Sequence, residues 1–221
     1  MKRNDKEYIA FERILKRGAG KVIEENENAL FVYDSLSEGF FLACEDPESG
    51  MVILDKHDCN LLMVTDVSLG RAAYKKYGFS EKMECYQFVY YGDSIDAEDK
   101  VNTRIAEAED IPVLISNYHL ISPEEMKKVV GLGNVLLGYV GENLIGFIGE
   151  HLEGSMGLLY IFPEHRRKGY ATALEKEYIR RTVEKGYVPF GMVEKDNIAS
   201  IELQKSIGMT QSDNLFCWMW R

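Results

Sequence analysis

The stretch that decides the fold spans residues 161–171 and reads IFPEHRRKGYA. An apolar segment at 156–162 enters this basic turn, and Gly169 opens a long segment that predicts a helix. The first turn of a helix presents N–H groups and the positive end of the helix dipole, which together suit an anion. Gly169 lets a ligand approach the backbone, and the small Ala171 and Thr172 leave room beside it. This pattern predicts a phosphate-binding loop between a strand and a helix.

The segments on either side of this loop predict a regular order of strands and helices. Upstream we predict a strand at 103–106, helices at 109–118 and 123–130, and a β-hairpin with strands at 135–140 and 144–150. Downstream we predict a helix at 169–185, a strand at 188–193, a helix at 198–207 and a strand at 216–220. The loop therefore lies within an alternating series of strands and helices.

A second motif lies downstream of the loop. Residues 197–203 contain the pattern N-x-x-S-x-x-L, and Gly208 and Met209 follow it. Residues 166–171 contain R-x-x-G-x-A, directly after a strand that ends in Ile-x-Pro. With the elements between them, these motifs resemble the acyl-CoA pyrophosphate loop and the final helix of the GNAT superfamily of N-acetyltransferases. The resemblance covers residues 100–221.

The resemblance implies a fold and an activity. The fold would be α/β (α+β), with a mixed, mostly antiparallel twisted sheet flanked by helices. The activity would be that of an N-acetyltransferase, which transfers an acetyl or other acyl group from acetyl-CoA to a primary amine of a small molecule or amino acid. The amine would attack directly in a ternary complex, which supplies proximity.

The resemblance also implies which residues contact acetyl-CoA. In the family, the strand before the loop pairs through its backbone with the pantetheine arm, and its N–H groups polarise the thioester carbonyl. The loop and the first helical turn hold the pyrophosphate, and an asparagine contacts the arm near the cleft between the last parallel strands. In this chain the residues are Leu159, Tyr160, Ile161, Arg166, Arg167, Lys168, Gly169, Tyr170, Ala171, Thr172 and Asn197.

A general base is expected, because the amine must be neutral to attack and lysine-like amines are protonated at pH 7. The candidate region lies between the hairpin and the apolar strand. We favour Glu153 as the base, then Glu150 and His151, with Glu194 at the end of the following strand as another option. For each of these residues, a solvated surface position is the competing interpretation.

One position departs from the family pattern. Many members carry a tyrosine after the leucine of the last helix, and that tyrosine protonates the departing thiolate. Here the position is Gln204, and an amide cannot deliver a proton as a phenol can. Either another group or solvent protonates the thiolate, and Gln204 is kept as a cofactor contact rather than an acid.

The N-terminal part of the chain repeats the closing elements of the C-terminal part. A gap-free alignment of Gly78 with Gly208 places the aromatic residues of 86–90 on those of 216–220. Both halves thus end with a helix, a glycine, a loop and a strand of alternating aromatic residues. Any helix–glycine–strand unit has this appearance, so a true repeat and a chance likeness both stay open.

The whole chain resembles the two-domain layout of the glycine N-acyltransferase-like branch, in which a degenerate GNAT-like half precedes the catalytic half. We therefore expect domains at 1–95 and 100–221, with an acidic linker between them. The N-terminal half has no counterpart of the basic loop, and its stretch 45–50 is acidic where a pyrophosphate would need donors. We expect a structural or acceptor-shaping role for this half rather than CoA binding.

The composition limits the class of partner. The chain has 221 residues, with 26 Lys+Arg against 36 Asp+Glu, a net charge of −10 and a pI near 5.0. This balance disfavours nucleic acid or an anionic membrane as the main partner. Residues 163–185 are the main basic exception, which fits one small polyanion at one helix end. The acidic background favours a cationic amine as acceptor.

The cysteines and histidines give no sign of a disulfide scaffold or a metal site. Four of each are scattered without metal-ligand spacing, so we expect reduced thiols and no metal. No apolar signal segment opens the chain, and no apolar run approaches the ~20 residues that span a bilayer. We therefore expect a cytoplasmic enzyme with a small-molecule amine as partner, and we leave a homodimer open.

Two other functions stay open on the sequence alone. One is a non-catalytic acyl-CoA-binding or regulatory protein with the same fold, which Gln204 favours. The other is acetylation of a protein lysine or N-terminus, which would need an open acidic groove. The intact basic loop and the acid-rich region around Glu153 favour the enzyme that acts on a small amine.

Overall fold

The computed structural model describes residues 5–97 and 99–221. The contacts among them divide the chain into two compact units: the residues up to Val89 together with Phe190–Arg221 form unit 1, and Tyr90–Pro189 form unit 2. The domains expected from the sequence, 1–95 and 100–221, rest on the resemblance to a two-domain layout and on the acidic linker, and they stay a prediction about two related halves.

The elements follow one another in a mixed α/β order. The helices are α1 (Asp5–Lys16), α2 (Pro47–Leu54), α3 (Val67–Tyr77), α4 (Ile111–Asn117), α5 (Pro123–Gly131), α6 (Tyr170–Glu184) and α7 (Ile198–Ile207). The strands are β1 (Gly20–Glu25), β2 (Ala29–Asp34), β3 (Gly39–Cys44), β4 (Leu61–Val64), β5 (Glu81–Val89), β6 (Asn102–Ile105), β7 (Val135–Val140), β8 (Asn143–Glu150), β9 (Met156–Ile161), β10 (Phe190–Glu194), β11 (Thr210–Gln211) and β12 (Phe216–Trp220).

Unit 1 is a mostly antiparallel sheet with helices on both faces. Its strands lie in the order β1-β2-β3-β4-β12-β5-β10, β11 pairs with β5, and β3 and β4 run parallel. Aromatic residues fill the side covered by α1, where the Phe41 ring meets Phe11 and Trp218 edge-on at 6.1 and 5.4 Å. Residues of α2 and α3 cover the other side, with Leu54 and Leu69 buried against Leu42.

The two strands that close the similar segments, β5 and β12, each pair with strands of the other half of the chain within unit 1. Strand β12 lies between β4 and β5, with Trp220 opposite Glu81. The far end of β5 pairs with β10 and β11, so Val89 lies opposite both Phe190 and Thr210. The last strand of the chain therefore completes the sheet of the N-terminal half, and the last strand of that half pairs with strands from the C-terminal half.

Unit 2 contains an antiparallel sheet in the order β6-β7-β8-β9. A two-residue turn joins β7 to β8, with Val140 opposite Asn143. Helices α4 and α5 cover one side of this sheet, where Leu114 and Val129 pack with Phe147. Helix α6 packs against β8 and β9. This arrangement places β9 and the start of α6 together, as the loop motif predicts.

The acidic stretch 45–50 contains the start of helix α2, which the sequence analysis did not predict. Asp46 caps helix α2, and its carboxylate accepts a hydrogen bond of 2.8 Å from the Ser49 N–H, with Pro47 in the first turn. Asp followed by Pro and Glu is a strong helix start, and the short length of the helix hid its periodicity. Strand β11 was not predicted either. Nowhere in the described residues does a helix combine the length and apolar composition needed to cross a membrane.

Candidate functional site

Strand β9 carries a bulge near its centre. In its pairing with β8, Phe147 lies opposite Tyr160 and Gly149 opposite Gly157, so two residues of β9 face one of β8. Leu158 occupies the bulge with a φ of 51°, although its side chain is fully buried. A leucine in the left-handed region is strained, and such strain collects at functional sites. Nothing in the sequence indicated this bulge.

The carboxyl end of β9 is held by Arg166. The Nε of Arg166 donates a hydrogen bond of 2.8 Å to the Ile161 carbonyl, and its guanidinium lies 5.5 Å from the centre of the Tyr160 ring. The N–H of Phe162, the residue after Ile161, donates a hydrogen bond to the Ile145 carbonyl. The guanidinium of Arg166 thus braces the turn, and a contribution to pyrophosphate binding stays a prediction.

The loop after this brace presents a row of N–H donors. Arg167 and Gly169 adopt left-handed conformations, with φ values of 60° and 81°. Within the described ranges, the N–H groups of residues 167–169 have no hydrogen-bond acceptor. The next three N–H groups belong to the first turn of α6, which has no intrahelical acceptors and no side-chain cap. Such a concave row of donors suits a phosphate oxygen.

Lysine 100 adds positive charge to this loop. A Cβ atom at Gly169 would lie 3.2 Å from the Nζ of Lys100, so the ammonium stands against the glycine. Arg167 and Lys168 are exposed on the same turn. The position of Lys100 in the sequence, at the start of the expected second domain, gives no sign of this contact. The donors and cations together fit the diphosphate of acyl-CoA.

A buried carboxylate lies near the other end of β9. Glu153 and Ser155 are both buried, and the Ser155 hydroxyl donates a hydrogen bond to Oε1 of Glu153. Burial raises the pKa of Glu153, and the charge of His151 and the Ser155 hydroxyl offset this only in part. A carboxylate of raised pKa is a stronger base than a solvated one, so burial favours the predicted role of Glu153.

His151 lies in the same cluster and contacts helix α5. Its Nδ1 is 3.6 Å from Oε1 of Glu125. Burial opposes its protonation, but the carboxylates of Glu125, Glu153 and Glu150 together raise the pKa of His151 above its ordinary value. A Cβ at Gly157 would lie 2.6 Å from the His151 Nε2, so the imidazole occupies the space over this glycine and would have to move for a larger residue. Sequence reasoning missed Glu125, which is distant along the chain.

The other candidate bases lie in different surroundings. Glu150 is buried at the end of β8, where its N–H bonds to the Asn134 carbonyl at 3.1 Å. Glu194 ends β10 in unit 1 and is exposed. The surface interpretation is therefore wrong for Glu150 and Glu153, and right for Glu194.

Tyr118 is a further polar group that the sequence did not single out. It caps the end of α4, and its ring meets that of Phe147 at 6.2 Å. Burial raises the pKa of Tyr118 to about 12, opposed by a hydrogen bond from the Leu158 backbone, while Glu125 adds to the rise. The phenol therefore lies against the bulge of β9.

The two remaining predicted contacts belong to unit 1. Asn197 caps α7, and its side chain accepts a hydrogen bond of 3.2 Å from the Ser200 N–H. Gln204 is buried on the same helix. Their roles as cofactor contacts stay predictions. In the described ranges, no group of three or more His, Cys, Asp or Glu side chains could hold a metal ion.

Comparisons with known proteins concern the fold rather than the individual residues of the site. Residues 131–219 match a family model described as FR47-like protein. A search of curated proteins found no match. Among solved structures, a Drosophila protein is similar with a TM-score of 0.65 at 15% identity, over 99% of this chain and 82% of that one. A GNAT-family protein from Novosphingobium aromaticivorans gives 0.57 at 15% identity, over 97% and 96%. A GCN5-related N-acetyltransferase-like protein from Streptococcus suis gives 0.57 at 12%, over 96% and 92%.

The chain has the fold of the GNAT superfamily, and its predicted fold class is confirmed. The similarity to the FR47-like family model is limited to residues 131–219. The narrower resemblance, to the two-domain glycine N-acyltransferase-like branch, stays a prediction.

Proposed function

We propose that the protein transfers an acyl group from acetyl-CoA to a primary amine. The observation that carries this proposal is the position of β9. The donor-rich loop of residues 166–172 follows its carboxyl end, and the buried Glu153 cluster precedes its amino end. Six residues of strand separate the two, which is roughly 15–20 Å at ~3.3 Å per residue. Such a span suits a long cosubstrate that is anchored at one end and reacts at the other.

The loop would supply anchoring and the strand would supply orientation. The backbone N–H groups of residues 167–172 would bind the diphosphate, with Lys100 and the exposed basic side chains adding charge. When bound, acetyl-CoA supplies an activated thioester. The strained bulge at Leu158 interrupts the β8–β9 ladder, and backbone N–H groups of β9 beyond it would stabilise an oxyanion.

The Glu153 cluster would supply the general base. Its raised pKa lets the carboxylate accept a proton from an ammonium group more readily than a solvated glutamate does. The deprotonated amine then holds a free lone pair for attack. The surrounding carboxylates Glu125 and Glu150 favour a cationic amine as acceptor, and we propose a small-molecule amine on this ground.

A second function is favoured by one observation. Gln204 stands where many GNAT members carry the tyrosine that protonates the thiolate. A protein that binds acyl-CoA without turnover, or one that regulates through it, would tolerate this amide. CoA thiolate is a fair leaving group without an acid, with a thiol pKa of roughly 8–9, so the enzyme remains the preferred proposal.

Two measurements separate these functions. Calorimetric titration with acetyl-CoA measures binding, and thiol release with a panel of diamines, amino acids and a lysine-containing peptide measures transfer. We expect binding together with turnover on a cationic small amine. Binding without turnover on any amine supports the non-catalytic protein, and turnover on the peptide alone supports a protein acetyltransferase. Absence of binding contradicts both of the CoA-dependent proposals.

A further inference from the structure

We infer that Glu125 is a positioning residue, which holds the His151 imidazole over β9 and makes His151 the exit route for the proton that Glu153 accepts. This inference rests on the proposed function and extends it to a residue from a separate helix. The contact that motivates it joins Oε1 of Glu125 to Nδ1 of His151 at 3.6 Å.

Glu125 is held in place by the start of helix α5. Ser122 caps this helix, and its hydroxyl accepts a hydrogen bond of 3.0 Å from the Glu125 N–H. The backbone of Glu125 is therefore anchored in the first turn, and its side chain reaches the imidazole. Its neighbour Glu124 on the same turn is exposed.

The imidazole is also constrained from the side of the strand. The turn that carries His151 closes on itself, because the His151 N–H bonds to the Ser155 carbonyl and the Gly154 N–H bonds to the His151 carbonyl, both at 2.9 Å. The Nε2 atom lies over Gly157, 2.6 Å from where a Cβ atom of that residue would stand. The ring therefore contacts Glu125 of α5 through one nitrogen and lies over β9 with the other.

Three carboxylates act on His151, each from a different segment. Glu125 belongs to α5, Glu153 to the turn and Glu150 to β8, and all three favour the imidazolium. Tyr118 from α4 is influenced by Glu125. The side chains differ in exposure, because those of Glu125 and His151 are 29% and 26% exposed whereas Glu153 is buried. Protons therefore reach water more easily from His151 and Glu125 than from Glu153.

The proton route balances without any other reactant. The proton on the amine nitrogen moves to a carboxylate oxygen of Glu153, which breaks the N–H bond and leaves the lone pair on nitrogen. Glu153 passes the proton to His151, whose imidazolium is stabilised by Glu125. His151 then releases the proton to water. The nitrogen loses a second proton after attack, and that proton ends on the CoA thiolate as the C–S bond breaks. No electron is exchanged, and one proton reaches solvent for each ammonium that reacts.

The first test needs no cosubstrate. The His151 imidazole is titrated by NMR in the ligand-free protein, with His151→Gln used to assign its signal among the four histidines. In Glu125→Gln we expect the pKa of His151 to fall, with a roughly three- to tenfold loss in proton affinity. Glu124→Gln is the matched control and should leave the titration unchanged. An unchanged His151 pKa in Glu125→Gln overturns the inference.

The second test uses steady-state kinetics on an accepted amine. We expect Glu125→Gln to lower kcat by roughly tenfold. The acidic limb of the kcat profile should move to lower pH, because the imidazolium loses its partner. Acetyl-CoA affinity should stay unchanged. A variant with the wild-type kcat profile overturns the proton route. A wild-type protein that turns over no amine overturns the proposed function and the route with it, even where the NMR titration confirms the Glu125–His151 coupling.

Discussion

Two turns in this molecule have the same local plan and opposite chemistry. Strand β3 leads through Asp46 into α2, and strand β9 leads through Gly169 into α6. In the first turn a carboxylate of the chain itself satisfies the helix N–H of Ser49 at 2.8 Å. In the second, the cap residue has no side chain, and N–H groups are left for an external anion. One helix end is closed from within, and the other is open to a ligand.

The comparison shows how one strand–helix unit can serve structure in one place and binding in another. The difference depends on one position, the residue that precedes the helix. An acidic cap repels a diphosphate and fills the donors that it would need. A glycine with a φ of 81°, beside Lys100, leaves both donors and positive charge available.

The largest effect is expected from Gly169→Asp, which gives the open turn the chemistry of the closed one. The aspartate would cap α6, neutralise the charge of Lys100 by pairing with it and strain a left-handed position. We expect acetyl-CoA affinity to fall by roughly 100-fold or more, measured by calorimetry. Gly141→Asp in the β7–β8 turn, with a φ of 58°, is the control for backbone strain alone. If Gly169→Asp binds acetyl-CoA with wild-type affinity, the loop is not part of the binding site.

The next effect concerns the opposite end of β9. We expect Glu153→Gln to lower the transfer rate by roughly 100- to 1,000-fold, because the amide cannot accept a proton. Affinity for acetyl-CoA should stay unchanged, since the loop is intact. Because burial raises the pKa of Glu153, wild-type activity should rise with pH through that raised value and be lost below it. Glu142→Gln, at an exposed position, is the control. Full activity in Glu153→Gln would contradict the assignment of Glu153 as the general base.

A smaller effect is expected from Lys100→Met. This change removes the cation beside Gly169 and keeps most of the apolar stem. We expect acetyl-CoA affinity to fall by roughly three- to tenfold at low salt, and by less at high salt, because the charge is exposed. Lys127→Met, an exposed change on α5, serves as the control. An affinity loss as large at high salt as at low salt would contradict an electrostatic role.

The smallest effect is expected from the closed turn. Hydrogen bonds from the Ser49 N–H and hydroxyl lower the pKa of Asp46, so its capping contributes stability above the ordinary aspartate range. That contribution should be lost as pH falls through the lowered pKa. Asp46→Ala should lower Tm slightly near neutral pH, with acetyl-CoA affinity unchanged, and Asp46→Asn should retain most of the wild-type Tm. A clear change of affinity in Asp46→Ala would show that the two turns are not independent in function.

The sequence predicted the elements that depend on local chemistry. The bounds of α7 and β12 were correct to the residue, because Asn197 and Gly208 cap the two ends of the helix and the strand has an alternating aromatic pattern. The loop before α6 was predicted for the same reason, since its glycine and basic residues are adjacent in the chain. Helix α2 was missed, although Asp46 and Pro47 form a clear start, because eight residues show little periodicity.

The remaining features depend on contacts between distant residues. The bulge at Leu158 arises from its pairing with β8 and not from any local preference of leucine. Lys100 lies beside Gly169, and Glu125 contacts His151. The two residues of each pair are far apart in the sequence, so local patterns do not predict these contacts. The positions of β5 and β12 in the sheet also depend on strand pairing, although their shared aromatic pattern indicated that the two strands are alike.

The central claim is that the turn before α6 is open to a phosphate-bearing ligand and the turn before α2 is not. NMR of the ¹⁵N-labelled protein during titration with CoA tests this directly. We predict that the amide signals of residues 167–172 shift on saturation, while those of 48–50 at the start of α2 do not. Unchanged signals at 167–172 on saturation, or shifts centred on 48–50, would contradict the account.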